Sequence, residues 1–90
     1  MKFEWDERKN ALNKAKHGIG FDIAARVFAD PHRIERYDAS HSDDEDRWLT
    51  IGMVYPAVLV VIYTERHNDI IRLISARQAN EHEVRTYYDI

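Results

Sequence analysis

Two segments decide the fold of this chain: Ala57-Val58-Leu59-Val60-Val61-Ile62-Tyr63-Thr64 and, after the polar turn Glu65-Arg66-His67-Asn68-Asp69, Ile70-Ile71-Arg72-Leu73-Ile74-Ser75-Ala76. Short apolar runs rich in β-branched residues and bounded by a polar turn read as buried strands, the first central in its sheet. Arg66, Arg72 and Arg77 gather around the ends of these strands. A guanidinium is a permanently charged, planar fork of donors matched to phosphate, so arginines on a rigid sheet are a candidate phosphate site. The competing expectation is that they pair with Glu65, Asp69, Glu81 or Glu83. Side chains alternate along a strand, so Arg72 and Arg77, of opposite parity, should face different sides unless Arg77 lies past the strand end. Arg66 and Arg77 are therefore the leading pair.

Upstream, Trp48 to Val54 reads as a further strand that Tyr55-Pro56 turns into the central run. From Arg33 to Asp38 the period is two, as in an edge strand. Lys2 to Trp5 alternates briefly, and Asp6 is a good N-cap for a helix that contains Ala11, Leu12 and Ala15 and ends at Gly18. Phe21, Ala24, Ala25 and Phe28 form the narrow apolar stripe of a second helix stopped by Asp30-Pro31. Gln78 to Tyr88 predicts a terminal helix with Val84 and a tyrosine inward. Short connections favour antiparallel neighbours. The expected class is α+β, with two N-terminal helices and one C-terminal helix on an antiparallel four-stranded sheet, plus the short N-terminal strand.

With 90 residues, 44% of them hydrophobic, the chain closes one modest core, a single domain over residues 1–90. No stretch has the apolar length to span a bilayer, the N-terminus lacks the apolar core of a signal peptide, and cysteine is absent, so a reducing, cytoplasmic setting is expected. Without cysteine, disulfides, thiolate zinc sites and thiol catalysis are excluded. The net charge is -3, but residues 38–46 hold five acids and no Lys or Arg, which leaves the remainder mildly basic.

The residues Phe3-Glu4-Trp5-Asp6, Lys9, Asn13, Lys16-His17-Gly18-Ile19, Phe21, Ala24, Phe28 and Asp30-Pro31 occur in order. They are followed by Arg47-Trp48, Gly52, Tyr63-Thr64, Arg66, Arg72 to Arg77, Ala79, Glu83 and Tyr87. In this order and spacing the chain resembles, nearly end to end, the BrnT family, ribonuclease toxins of bacterial type II toxin-antitoxin systems with a RelE-like fold. It departs from that pattern at Asp43-Asp44-Glu45-Asp46, where a shorter approach to Arg47-Trp48 is expected, and at Val84, where a basic residue is expected. The resemblance implies RNA cleavage with no metal or other cofactor, inhibition of translation, and a hetero-oligomer with a BrnA-like antitoxin. Operator DNA would be bound only through that complex.

RNA carries its own nucleophile, so cleavage needs a base for the 2′-OH proton, cations for the phosphorane and an acid for the departing 5′-oxygen. Arg66, Arg72 and Arg77 suit the cationic part. His17, at a helix end beside Lys14 and Lys16, is a candidate acid or base whose competing role is a helix cap. His67 neighbours Arg66 in a turn and could reach phosphate, Lys16 could steer it, and Tyr63 and Tyr87 could stack on a base or donate to phosphate. Glu83 is a candidate base, or the group that holds Arg77 in position. His41, Asp43, Asp44 and Glu45 lack partners at ligand spacing and read as a solvated loop. The rival expectation for the whole chain is a noncatalytic module that binds nucleic acid or protein.

Overall fold

Asp6 has extended backbone, and its carboxylate accepts from the amides of Arg8 and Lys9, which starts helix α1 (Glu7–His17); Gly18 ends it in the left-handed region at φ 73°. Apolar side chains do little to attach α1, for Leu12 is 65% exposed. The anchor is Asn13. Its amide donates to the carbonyls of Ile19 (2.9 Å) and Ala76 (2.8 Å), and its oxygen accepts from the Ala76 amide (3.1 Å).

The stripe expected to form one second helix divides into α2 (Phe21–Ala24) and a 3₁₀ turn, Ala25–Ala29. The tighter winding advances the buried position to Val27, which is fully buried with Phe21 and Ala24. Phe28 packs edge-on against Tyr63, with ring centroids 4.9 Å apart, and tilted against Phe3 at 5.3 Å.

A computed structural model describes residues 1–89 and shows one five-stranded sheet. Its strands are β1 (Lys2–Glu4), β2 (Ile34–Tyr37), β3 (Trp48–Val54), β4 (Ala57–Arg66) and β5 (Ile70–Gln78), in the order β1-β5-β4-β3-β2. The last four pair as an antiparallel meander, whereas β1 joins the outer edge of β5 in parallel. Beyond β1 that edge is capped at Ala76 by the Asn13 side chain, which stands in for a neighbouring strand.

Leu59, Val61, Tyr63, Ile71, Leu73 and Ala76 turn to one side and close the core with Ile19, Phe21, Ala24 and Val27. At Gly52 on β3 a Cβ would lie 2.7 Å from Val27 Cγ2 and 3.0 Å from Arg33 Cβ, so the 3₁₀ turn sits directly on the strand backbone. The terminal helix α3 (Glu81–Tyr88) begins later than the sequence suggests. β5 continues to Gln78, and Asn80 and Glu83 then close a reciprocal capping box. α3 crosses the opposite face of the sheet, where Ile51 and Val60 are buried and Leu49, Ile62, Arg72, Ser75 and Arg77 stay partly exposed.

Candidate functional site

The arginines share a face because of one extra residue. Ile62 pairs with Ser75 but Tyr63 pairs with Leu73, so Ile74 has no partner on β4 and forms a bulge. The bulge shifts the alternation by one. Arg72, opposite Thr64, and Arg77, opposite Val60, consequently both point away from the helix-covered core, with Ser75 and Ile62 between them. This corrects the parity expectation, and Arg77 lies within β5 rather than beyond it. With Ile74 absorbed, the two arginines stand about 13 Å apart along the strand.

Arg77 makes a two-pronged pair with Glu83: Nη1 lies 2.7 Å from Oε1 and Nη2 2.8 Å from Oε2. Glu83 Oε1 also accepts from the Asn80 amide at 2.9 Å. The guanidinium beside it holds the Glu83 carboxyl below the usual carboxylate range, against the opposing effect of burial, and the same contact raises Arg77. Glu83 is therefore a firmly ionised, weakly basic carboxylate that aims Arg77.

Arg66 and Arg72 are joined by a residue from the far end of the chain. Glu4, opposite Arg72 on β1, places Oε1 3.4 Å from Arg66 Nε and Oε2 3.7 Å from Arg72 Nη1. Of the carboxylates adjacent in sequence, only Glu83 pairs with one of the three arginines; Glu81 pairs with Arg85.

The remaining candidates divide. Tyr63 is fully buried on the core side with its hydroxyl donating to Glu35, so it cannot stack on a base, which corrects its assignment to the binding surface. Its position one strand residue from Thr64 turns it inward. Lys16 and His17 are exposed at the end of α1, on the helix layer, and form no hydrogen bond or ion pair with any described residue. His67 lies in the exposed turn after β4. With Arg66, Glu45, Asp46, Trp48, Thr64 and Glu65 it lines a cavity of about 550 Å³ at that end of the sheet.

Tyr87 fastens α3 rather than facing the arginines. Its hydroxyl donates to Asp30 Oδ2 at 2.5 Å, and the same oxygen accepts from the Met53 amide at 2.7 Å. Burial and then the neighbouring Asp30 push the Tyr87 phenol up to about 12. Burial opposes ionisation of Asp30, but donation from Tyr87 and from the Met53 and His32 amides outweighs it and keeps that carboxyl below its usual range. Tyr87→Phe is expected to cost about 1.5 kcal/mol of stability by urea denaturation at neutral pH. Because the folded-state phenol titrates higher than the unfolded one, the wild-type contribution is complete below pH 10.0 and is lost as pH rises through about 12. The Phe variant should lack that component of the alkaline decline.

The strand pattern also conceals two groups. Arg36 on β2 and His82 on α3 line a groove of about 260 Å³ with Leu49, Ile51, Glu83 and Thr86 on the arginine side of the sheet. Alternation within Ile34–Tyr37 could have marked Arg36, but only the tertiary crossing of α3 brings His82 to it. Arg47, by contrast, holds the acidic loop, with Nη2 3.9 Å from Glu45 Oε1. Within that loop His41 Nδ1 lies 3.0 Å from Asp38 Oδ2. Chemically, the arginine face offers guanidinium groups that can bind successive backbone phosphates and, at one of them, stabilise the added negative charge of a pentacoordinate phosphorus.

Residues 5–83 match the family described as "Ribonuclease toxin, BrnT, of type II toxin-antitoxin system". Among solved structures, the chain is similar to the 1.1 Å crystal structure of the Brucella abortus ribonuclease toxin BrnT, with a TM-score of 0.69 and 28% identity. That alignment covers 90% of this chain and 99% of the Brucella chain. No curated protein matches the sequence. The family match spans β2 to β5 and the start of α3, and the structural match covers nearly the whole Brucella chain: this chain belongs to the BrnT family of ribonuclease toxins of type II toxin-antitoxin systems, with RNA as substrate and an antitoxin as partner.

Proposed function

We propose that the chain cleaves RNA on its open sheet face without a metal ion, inhibits translation in the cytoplasm, and is neutralised in a hetero-oligomer with a BrnA-like antitoxin, through which alone it meets operator DNA. The observation that carries the cleavage reading is the bulge at Ile74, which sets Arg72 and Arg77 on one exposed face with Ser75 between them. Arg77, aimed by Glu83, binds the scissile phosphate and the charge it gains in the transition state, while Arg72 and Arg66, bridged by Glu4, hold the adjoining backbone. His67 contributes to steering at the rim. The 2′-hydroxyl is the nucleophile, so the protein need supply only charge, position and proton transfer.

The test is cleavage of naked RNA and of ribosome-bound message by purified protein in excess EDTA, with analysis of the new ends. Undiminished cleavage leaving 2′,3′-cyclic phosphate and 5′-hydroxyl ends is the expected result. Binding with RNA intact on both substrates would instead make the chain a noncatalytic module, and activity restored only by a divalent ion would overturn the metal-free mechanism.

A further inference from the structure

Among the described residues the arginine face has no uncommitted proton acceptor, for its carboxylate Glu4 bridges Arg66 and Arg72. Glu83 is committed to Arg77 and Asn80, and its carboxyl is held below the usual range. Tyr87 is committed to Asp30. His17 stands on the helix layer, and His67 shares its cavity with Glu45, Asp46 and Glu65 at the end of the sheet away from Arg77. His32 lies in the turn before β2 and His41 pairs with Asp38 in the acidic loop, which leaves His82 as the imidazole that opens onto the same side as Arg77. His82 is exposed at the second position of α3, beside the residue that grips Arg77.

Its surroundings form a recess rather than bare surface. Leu49 and Ile51 make an apolar floor, α3 supplies His82, Glu83 and Thr86 as one wall, and Arg36 and Asp38 stand on the other. Leu49 is paired to Arg36 on one side and Ile62 on the other, and Ile62 is paired to Ser75. An unbroken cross-strand row thus leads from the recess to the strand that carries Arg72 and Arg77, over three strand spacings or about 14 Å. The titratable and charged groups around the imidazole are Arg36, Tyr37 and Asp38 across the recess, with His41 paired to Asp38, Glu83 with Arg77 behind it, and Glu81 and Arg85 on its own helix.

We infer that His82 is the general base of the ribonuclease reaction, and that Arg36 binds the backbone phosphate next to the one being cleaved. The inference rests on the proposed metal-free cleavage. With the scissile phosphate on Arg77, the 2′-oxygen attacks phosphorus and its proton passes to the neutral imidazole of His82. The bond from phosphorus to the 5′-oxygen breaks, that oxygen takes a proton from water, and the imidazolium returns its proton to solvent. The products are a 2′,3′-cyclic phosphate and a 5′-hydroxyl, so protons and charge balance. An apolar floor beneath the sugar suits this step, because it thins the water that competes for the base.

The experiment compares single-turnover RNA cleavage by wild type, His82→Gln and Arg36→Ala between pH 5 and 9, with RNA affinity and thermal midpoint measured in parallel. His82→Gln should slow cleavage by about 100-fold, the lower end for a lost general base. It should also remove the fall in rate toward acid pH, while affinity and thermal midpoint stay at wild-type values. Arg36→Ala should weaken RNA binding yet keep the acid limb. Cleavage by His82→Gln within twofold of wild type, an unchanged acid limb, or loss of the alkaline limb instead would each overturn the assignment. A wild type inactive at every pH on both naked and ribosome-bound RNA would overturn the cleavage reading itself, a result distinct from an active wild type that ignores His82.

Discussion

Arg77→Ala is expected to reduce the RNA cleavage rate about 10³-fold, the upper range for deleting a donor that faces developing transition-state charge. Arg77 is the only one of the three arginines presented as a fork held at both prongs, and its side chain retains 40% exposure toward the open face. Arg77→Lys keeps the charge but loses the planar fork, so its rate should lie much closer to that of the alanine variant than to wild type. Folding is a separate matter. Glu83 would lose its partner while still capping the Asn80 amide, and Arg77→Ala/Glu83→Gln removes the stranded carboxylate as a control. Because Glu83 titrates below its ordinary 4.5 when folded, its pairing stabilises the wild type fully above that pH and is lost as acid titrates the folded carboxyl. Urea midpoints at pH 7 and pH 3 should therefore differ less for the double variant than for wild type. A cleavage rate for Arg77→Ala within threefold of wild type would remove this arginine from the chemistry.

Asn13→Ala should be the most damaging single change to the fold. Asn13 is 8% exposed and uses both ends of its amide: Nδ2 serves the carbonyls of Ile19 and Ala76, and Oδ1 serves the Ala76 amide. Alanine would leave three backbone groups short of a partner at the place where β5 has no neighbouring strand. At about 1–3 kcal/mol for each stranded group, partly relieved by water entering at the edge, the loss should be about 3–5 kcal/mol. For a domain whose whole stability is on the order of 5–15 kcal/mol, that is a large share. The urea midpoint at 25 °C should fall correspondingly, and hydrogen exchange at Ala76 should accelerate more than exchange at Val61. A loss under 1 kcal/mol would mean that α1 is held by something other than this side chain.

Much of the fold was legible because local chemistry and tertiary outcome agree. Asp6 and Gly18 carry their own capping information, and the runs from Ala57 and Ile70 are too apolar and too β-branched to be anything but buried strands. What the linear pattern hid are properties of pairing. The bulge at Ile74 exists only relative to β4, and it reverses the deduction about Arg72 and Arg77 that an ideal strand compels. Tyr63 looked available because aromatic residues are common in RNA sites, but its parity with Val61 and Leu59 commits it to the core. Glu4 and His82 were missed for a related reason. Each becomes relevant through an element that crosses or joins the sheet from a distant part of the chain: β1 laid parallel against β5, and α3 laid over β3. The extra length of β5 and the late start of α3 follow from the reciprocal bonds of Asn80 and Glu83, which fix the first turn of the helix after the strand has ended.

The ion pairs on the open face also set how the protein meets a polyanion. Arg66, Arg72 and Arg77 are balanced in place by Glu4 and Glu83, so these five side chains together carry one net positive charge rather than three. An RNA phosphate arriving there meets guanidinium groups whose charge is already largely balanced by carboxylates that stay in place, and few mobile counterions are released. The affinity of this face for RNA should consequently decline gently with salt, with a logarithmic slope nearer the roughly 0.7 of one neutralised single-strand phosphate than the value for three. Selectivity for the scissile position then comes from geometry held in advance by the carboxylates, while nonspecific attraction to nucleic acid is kept low in an acidic chain of net charge -3.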